Sequence, residues 1–241
     1  MAAADQREDS GFTLVIANKN YSSWSLRGWL ALNQVGVPFE EVVVALRQAD
    51  TRATILRYSP SGKAPCLVHK TAAGTVTVWE SLAIGEYLAE LFPAAGLWPT
   101  DAAARAYGRA IANEMHGGFI ALRRAMPMNI RASLPGYGMA EGVQDDINRI
   151  EAIWRETRAR FGAGGDLLFG AVTLPDAMFA PVAFRFRTYG VALGDDATAY
   201  MKALLELPAM KQWAAAAEAE PAMIPDYEQG GINGPAPPPA G

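Results

Sequence analysis

Residues 59–67 read Ser59-Pro60-Ser61-Gly62-Lys63-Ala64-Pro65-Cys66-Leu67, and the second proline decides how the first part of the chain is read. Pro65 opens a run over 65–69 with the composition of a strand, yet a proline gives a strand no ladder donor. It is either a trans proline opening an edge strand, the commoner case, or a cis bond that turns the Ala64 backbone outward to pair with an extended peptide ligand. Upstream, residues 12–17 are short and β-rich. The polar stretch 18–23 leads into a helix pattern over 24–35 that stops at Gly36 and Pro38. A second strand is predicted over 39–45 and a short helix over 51–58, ended by residues 59–62. Downstream, strands at 65–69 and 75–79 flank an Ala-Ala-Gly turn, and a helix over 81–92 closes the unit. This order describes an α/β domain with a parallel pair followed by a hairpin.

Past residue 92 the texture changes. Pro and Gly break the pattern over 93–100, which reads as an interdomain linker. Beyond it, apolar residues recur at helical spacing over 101–132, 139–161, 175–189, 196–206 and 208–219, and no strand signal rises. An all-α bundle over 101–228 is the expectation. Residues 1–11 are polar and read as a disordered tail, and 229–241 collapse to Gly, Pro and Ala as a second one.

Composition narrows the chemistry. A net charge of -4 with no dense basic run gives no electrostatic footprint for nucleic acid or an anionic membrane. The single cysteine, Cys66, excludes a disulfide framework within one chain, and the two histidines stand far apart, so no metal is expected. No uninterrupted apolar stretch is long enough to span a bilayer. The first eleven residues lack the apolar core of a secretion signal, so a cytoplasmic setting is expected.

Two further stretches carry chemistry. Asn20-Tyr21-Ser22-Ser23-Trp24-Ser25-Leu26-Arg27 lies where the first strand gives way to the first helix. Hydroxyls there sit at the positive end of a helix dipole, which favours an anion; plain helix capping by serine explains them equally well. Val78-Trp79-Glu80-Ser81-Leu82-Ala83-Ile84 joins the last strand to its helix. Ser81 reads as an N-cap whose amide and hydroxyl suit a carboxylate, and Glu80 suits an ammonium, with ordinary capping again the alternative.

Together these stretches resemble the glutathione transferase superfamily over about residues 12–228. "SPSGKAPCL" is similar to that family's cis-proline segment and "VWESLAIGEYL" to its glutathione clamp. Thr173-Leu174-Pro175-Asp176 resembles the capping box that starts the family's central helix, a structural motif in which cap and third residue satisfy each other's amides. Within the superfamily, "SSWSLR" resembles the zeta class, which includes maleylacetoacetate isomerase, and equally a bacterial group with N-Y-S-S-W-S-L-R; Trp24 stands where the zeta class has cysteine. The resemblance implies a thioredoxin-like domain over 12–92 followed by the helical domain, a homodimer, and glutathione as co-substrate.

It also implies roles. Ser22, with Ser23 as rival, donates a hydrogen bond to the glutathione thiolate. Lys63, Ala64, Pro65, Glu80 and Ser81 hold the rest of the tripeptide. A free thiol has a pKa of about 8.5, so only a small fraction is ionised at neutral pH without such help. The electrophile's wall is expected from Met115, His116, Phe119 and Arg123, with Trp24, and from Arg185 or Arg187, which suit a carboxylated substrate. Each has a blander reading as core or ion pair. The reaction implied is conjugation or isomerisation of a small electrophile, maleylacetoacetate-like in the zeta class. The alternatives are a glutathione-dependent reductase or peroxidase, and a non-catalytic glutathione-binding relative.

Overall fold

The computed structural model describes residues 11–228; the tails expected at 1–11 and 229–241 lie outside the described residues, Gly11 apart. Strands β1 (Phe12–Ala17), β2 (Glu40–Val44), β3 (Cys66–Thr71) and β4 (Gly74–Val78) form one sheet in the order β2-β1-β3-β4. β1 pairs parallel with β2, placing Val15 opposite Val42, and antiparallel with β3, placing Leu14 opposite Leu67. Leu14, Val15 and Ile16 are all fully buried. An apolar run, without in–out alternation, is what a strand covered on both faces requires.

Three helices accompany the sheet: α1 (Ser23–Val35), α2 (Thr51–Leu56) and α3 (Ser81–Leu91). α1 starts on Ser22 and ends on Gly36, whose φ of 79° closes the last turn in the left-handed region. β3 begins at Cys66, so Pro65 stands just ahead of the ladder, where its missing N–H costs nothing.

The helical half holds α4 (Ala102–Gly117), α5 (Ile120–Ala125), α6 (Val143–Phe161), α7 (Leu174–Tyr189), α8 (Asp195–Glu206), α9 (Pro208–Ala219) and the short α10 (Pro225–Glu228). The helix expected over 101–132 is therefore two helices and an irregular segment. The chain turns at Gly118, where a Cβ would lie 2.7 Å from the Glu114 carbonyl oxygen, and Phe119 follows at φ 58°. Pro127 then removes a helical donor. The helix expected from residue 139 starts at Val143 because Gly142 stands at φ 79°. Apolar spacing survives such breaks, so periodicity alone runs through them.

α7 is buried on every face except at Arg187. Its start is closed by a capping box: the Asp176 carboxylate accepts from the Thr173 N–H at 2.8 Å and the Thr173 hydroxyl at 2.7 Å. Leu26, Trp29 and Leu30 of α1 share one continuous core with Leu174 and Met178 of α7. The segment 93–100 is fastened to this core. Leu97 and Trp98 are buried, the Leu174 N–H donates to the Leu97 carbonyl at 2.7 Å, and the Trp98 indole donates to Glu86 at 3.0 Å. Among the described residues no helix is long and apolar enough to cross a membrane, and no cluster of metal-ligating side chains is found.

Candidate active site

A cleft of about 670 Å³ opens between the sheet domain and the helical half, within the size range of small-molecule sites. Its sheet-domain side carries Ser22, Ser23 and Trp24 at the start of α1, Lys63-Ala64-Pro65 before β3, and Trp79-Glu80 before α3; Arg123, Pro127, Met128, Arg185 and Tyr227 face them. Three loops separated by up to about sixty positions meet because β1 and β3 are neighbours and both α1 and α3 start at the same end of the sheet.

The serines are not equivalent. Ser22 is the N-cap of α1: its Oγ accepts from the Ser25 N–H at 3.3 Å and donates to the Ser25 Oγ at 2.7 Å. Ser25 in turn accepts from the Ala17 N–H at 2.9 Å, tying the cap to the end of β1. The capping role read from sequence is thus filled by Ser22. Ser23, also buried, lines the cleft, and its hydroxyl has no partner among the described residues.

The loop that presents these serines is held from afar. The Glu220 carboxylate accepts from the backbone N–H groups of Lys19 at 2.7 Å and Asn20 at 3.1 Å. The Asn20 side chain donates to Asn129 at 2.8 Å and accepts from the Arg131 N–H at 3.0 Å. Arg131 donates to the Tyr21 hydroxyl at 3.0 Å and to the carbonyls of Glu220 and Ala222, and Tyr21 pairs with Glu228. No sequence signal pointed to Glu220, Arg131 or Tyr227, because each acts across more than 80 positions.

Ala64–Pro65 is a cis peptide, as is Trp79–Glu80. Gly28 of α1 would place a Cβ 3.2 Å from the Pro65 ring, so glycine admits the proline close to the helix. Lys63 is exposed. Glu80 lines the cleft and holds the N-cap position of α3 without a side-chain cap bond; Ser81, expected as the cap, is the helix's first residue, fully buried, not among the residues lining the cleft, and its hydroxyl has no partner among the described residues. His116 Nε2 donates to the Glu80 carboxylate at 3.1 Å and the ring lies edge-on to Trp24 at 5.1 Å, so it stands behind the wall. Burial lowers its pKa; Glu80 opposes this, and Arg27 and Arg123 reinforce it.

Among the residues expected in the electrophile wall, Trp24 and Arg123 line the cleft, as does Arg185. Four do not. Met115 of α4 and Phe119, which follows the break at Gly118, pack into the core, and His116 stands behind the wall. Arg187, two residues past Arg185 on α7, faces away, donating to the Ile130 carbonyl at 3.1 Å. Cys66 is buried with its thiol pKa raised by that burial.

The resemblances follow this geometry. Residues 21–91 match the family model described as glutathione S-transferase, N-terminal domain. The chain is 26% identical to the "Probable maleylacetoacetate isomerase" of Caenorhabditis elegans, over 68% of this chain and 75% of that protein. It is 43% identical over 67 residues to the dichloromethane dehalogenase of Methylorubrum extorquens, covering 27% of this chain and 22% of that protein. Its fold matches a glutathione transferase homologue from Burkholderia with bound glutathione, at TM-score 0.64 and 22% identity over 87% of this chain and 99% of that one. A maleylacetoacetate isomerase from Anaeromyxobacter dehalogenans, also with glutathione bound, matches at TM-score 0.63 and 24% identity, over 87% and 96%.

Proposed function

We propose that this chain, whose residues 21–91 match the glutathione S-transferase N-terminal domain and whose fold pairs a thioredoxin-like N-terminal domain with a helical C-terminal region, is a glutathione S-transferase that binds glutathione in this cleft and activates its thiol with a serine hydroxyl. The activated sulfur then attacks a small electrophile, in conjugation or in a cis–trans isomerisation. The observation that carries the reading is the meeting, in one cleft, of a Ser23 hydroxyl without a partner among the described residues, the Lys63-Ala64-Pro65 segment and Glu80.

The tripeptide lies as an added strand along Ala64, which stands just outside the β3 ladder. Ser81, with the amide end of α3, takes the γ-glutamyl carboxylate, Glu80 takes its ammonium, and Lys63 takes the glycyl carboxylate. The sulfur then faces the first turn of α1, where the helix dipole and a hydroxyl donor both favour the anion. Ser22 gives its proton to sulfur only by breaking its bond to Ser25, whereas Ser23 gives one without loss. A hydrogen bond to a charged group contributes about 1.5–3 kcal/mol, which is about one to two pKa units on the thiol. The superfamily reading supports a homodimer as the working state.

The test is the ultraviolet thiolate signal of bound glutathione titrated against pH. Removing both hydroxyls by Ser22→Ala and Ser23→Ala raises the thiol pKa by about one to two units, with Ser23→Ala alone carrying the larger part. An unchanged pKa in the double variant, or no glutathione binding at about millimolar concentration, overturns the proposal.

A further inference from the structure

Glu80 enters the cleft with little to hold it. Its side chain is 59% exposed and stands at the N-cap position of α3 without a cap bond. Among the described residues the polar group that meets it is His116, whose Nε2 stands 3.1 Å from Glu80 Oε2; Oε1 is left without a partner there. The pair spans the two halves of the molecule. Glu80 precedes α3 of the sheet domain, and His116 sits in the last turn of α4.

His116 is held far more firmly than its partner. Its ring lies edge-on to Trp24, and Trp24 is flanked by the Arg27 and Arg123 guanidiniums at 4.5 and 4.8 Å from its ring centre. Arg123 also donates to the His116 carbonyl at 3.1 Å, so ring and backbone are both fixed. Burial, reinforced by Arg27 and Arg123, favours the neutral ring against the pull of Glu80. A neutral imidazole has one N–H, and a carboxylate only accepts, so that proton sits on Nε2. Nδ1 is then bare, buried and without a partner among the described residues. An orphaned buried nitrogen costs stability, and an apolar ring would fill the same space without that cost. What the imidazole adds is its contact with Glu80.

We propose that His116 is a positioning residue for glutathione: by holding Oε2 of Glu80 it presents Oε1 to the ammonium of the γ-glutamyl unit, so the helical half of the molecule sets the strength of that contact. This rests on the glutathione reading, in which Glu80 takes the ammonium. A glutamate side chain has several rotatable bonds, and an exposed one gives up their freedom when it engages a ligand; His116 has already removed part of it. A neutral donor also leaves the charge of the carboxylate intact for the ammonium, where a lysine or arginine in its place would cancel it.

The probes are glutathione and its deaminated analogue, glutaryl-cysteinyl-glycine, which lacks the ammonium alone. Dissociation constants are measured by calorimetry at neutral pH. The wild type should prefer glutathione by about tenfold or more. His116→Phe, which keeps a ring and removes the donor, should cut that preference to about threefold or less, with affinity for the analogue changed by less than about twofold. His116→Gln, which retains a donor, should restore part of the preference. In a Glu80→Gln background His116→Phe should have no further effect on it. The proposal is overturned if His116→Phe keeps the wild-type preference, or if it weakens both ligands by the same factor, as loss of packing alone would. Glutathione bound without preference over the analogue takes Glu80 off the ammonium and overturns this proposal alone, since the serine chemistry is judged by its own thiolate titration. No glutathione binding to the wild type overturns both. If His116→Phe does not fold by circular dichroism, nitrogen NMR of the wild type decides, the chain having two histidines. The His116 ring should be the neutral tautomer protonated at Nε2, and its Nε2 shift should move in Glu80→Gln and on binding glutathione but not on binding the analogue. Any other protonation form, or an Nε2 shift that ignores Glu80→Gln, ends it.

Discussion

Removing the Asp176 side chain should cost a large share of this protein's stability without touching the cleft directly. Its buried carboxylate accepts from the Thr173 N–H at 2.8 Å, the Thr173 hydroxyl at 2.7 Å, the Leu168 N–H at 3.2 Å and the Tyr200 hydroxyl at 3.0 Å. Asp176→Ala orphans two backbone amides and a phenol in the dry interior, each at about 1–3 kcal/mol, while the Thr173 hydroxyl rotates to a new acceptor. Relief of a buried charge returns part of that sum, because burial raises the Asp176 pKa above 3.8 against its four donors. The expected net loss is about 3–5 kcal/mol, a large share of a typical 5–15 kcal/mol. Urea unfolding at neutral pH, followed by circular dichroism with Asp176→Asn as the size-matched control, measures it. The pH sign follows from the raised folded pKa. The native state holds this proton more tightly than the unfolded chain, so the group's contribution improves as pH falls through the folded pKa and levels off below 3.8. The wild-type advantage over Asp176→Asn therefore grows on acidification across that window. A loss under about 1 kcal/mol, or an advantage that shrinks on acidification, refutes the account.

Gly85→Ala should destabilise by about 1–3 kcal/mol in urea unfolding, since its Cβ would lie 2.4 and 2.6 Å from the methyls of fully buried Leu174, whose neighbours leave little room; a neutral result would mean Leu174 repacks freely. Glu220→Ala should lower stability by about 1–3 kcal/mol and raise the KM for glutathione, because the backbone of Lys19 and Asn20 loses its acceptor just before the serines; unchanged kinetics would show the loop holds itself. Cys66 should react with iodoacetamide much more slowly than free cysteine at neutral pH, being fully buried with its pKa raised by that burial; fast labelling would contradict its core placement.

Much of this arrangement was legible in the sequence. β1 announces itself as a β-rich apolar run, α1 by the serine start and the Gly36 stop, and the hairpin by its turn, because those are local backbone preferences. The three cleft loops were marked too, since capping serines and an odd proline stand out in any context. The break at Gly118 was missed: Met115, Phe119 and Leu122 keep helical spacing through it, and the turn depends on a close approach to the Glu114 carbonyl that spacing does not encode. The assignment of Ser81 as the α3 cap missed by one residue, an ordinary uncertainty at helix ends.

The order of elements, the all-α texture after residue 100 and the positions of the serine and proline loops were decided by the sequence alone, through preferences acting over a few residues. Which arginine enters the cleft was decided by the tertiary structure. Arg185 and Arg187 sit two positions apart on α7, about 200° around the helix, and the packing of that helix against α1, α4 and α8 turns the first inward. The same holds for Glu220 and Tyr227, brought to the serine loop from the far end of the chain by a folded core, a distance over which no local pattern in the residues carries information.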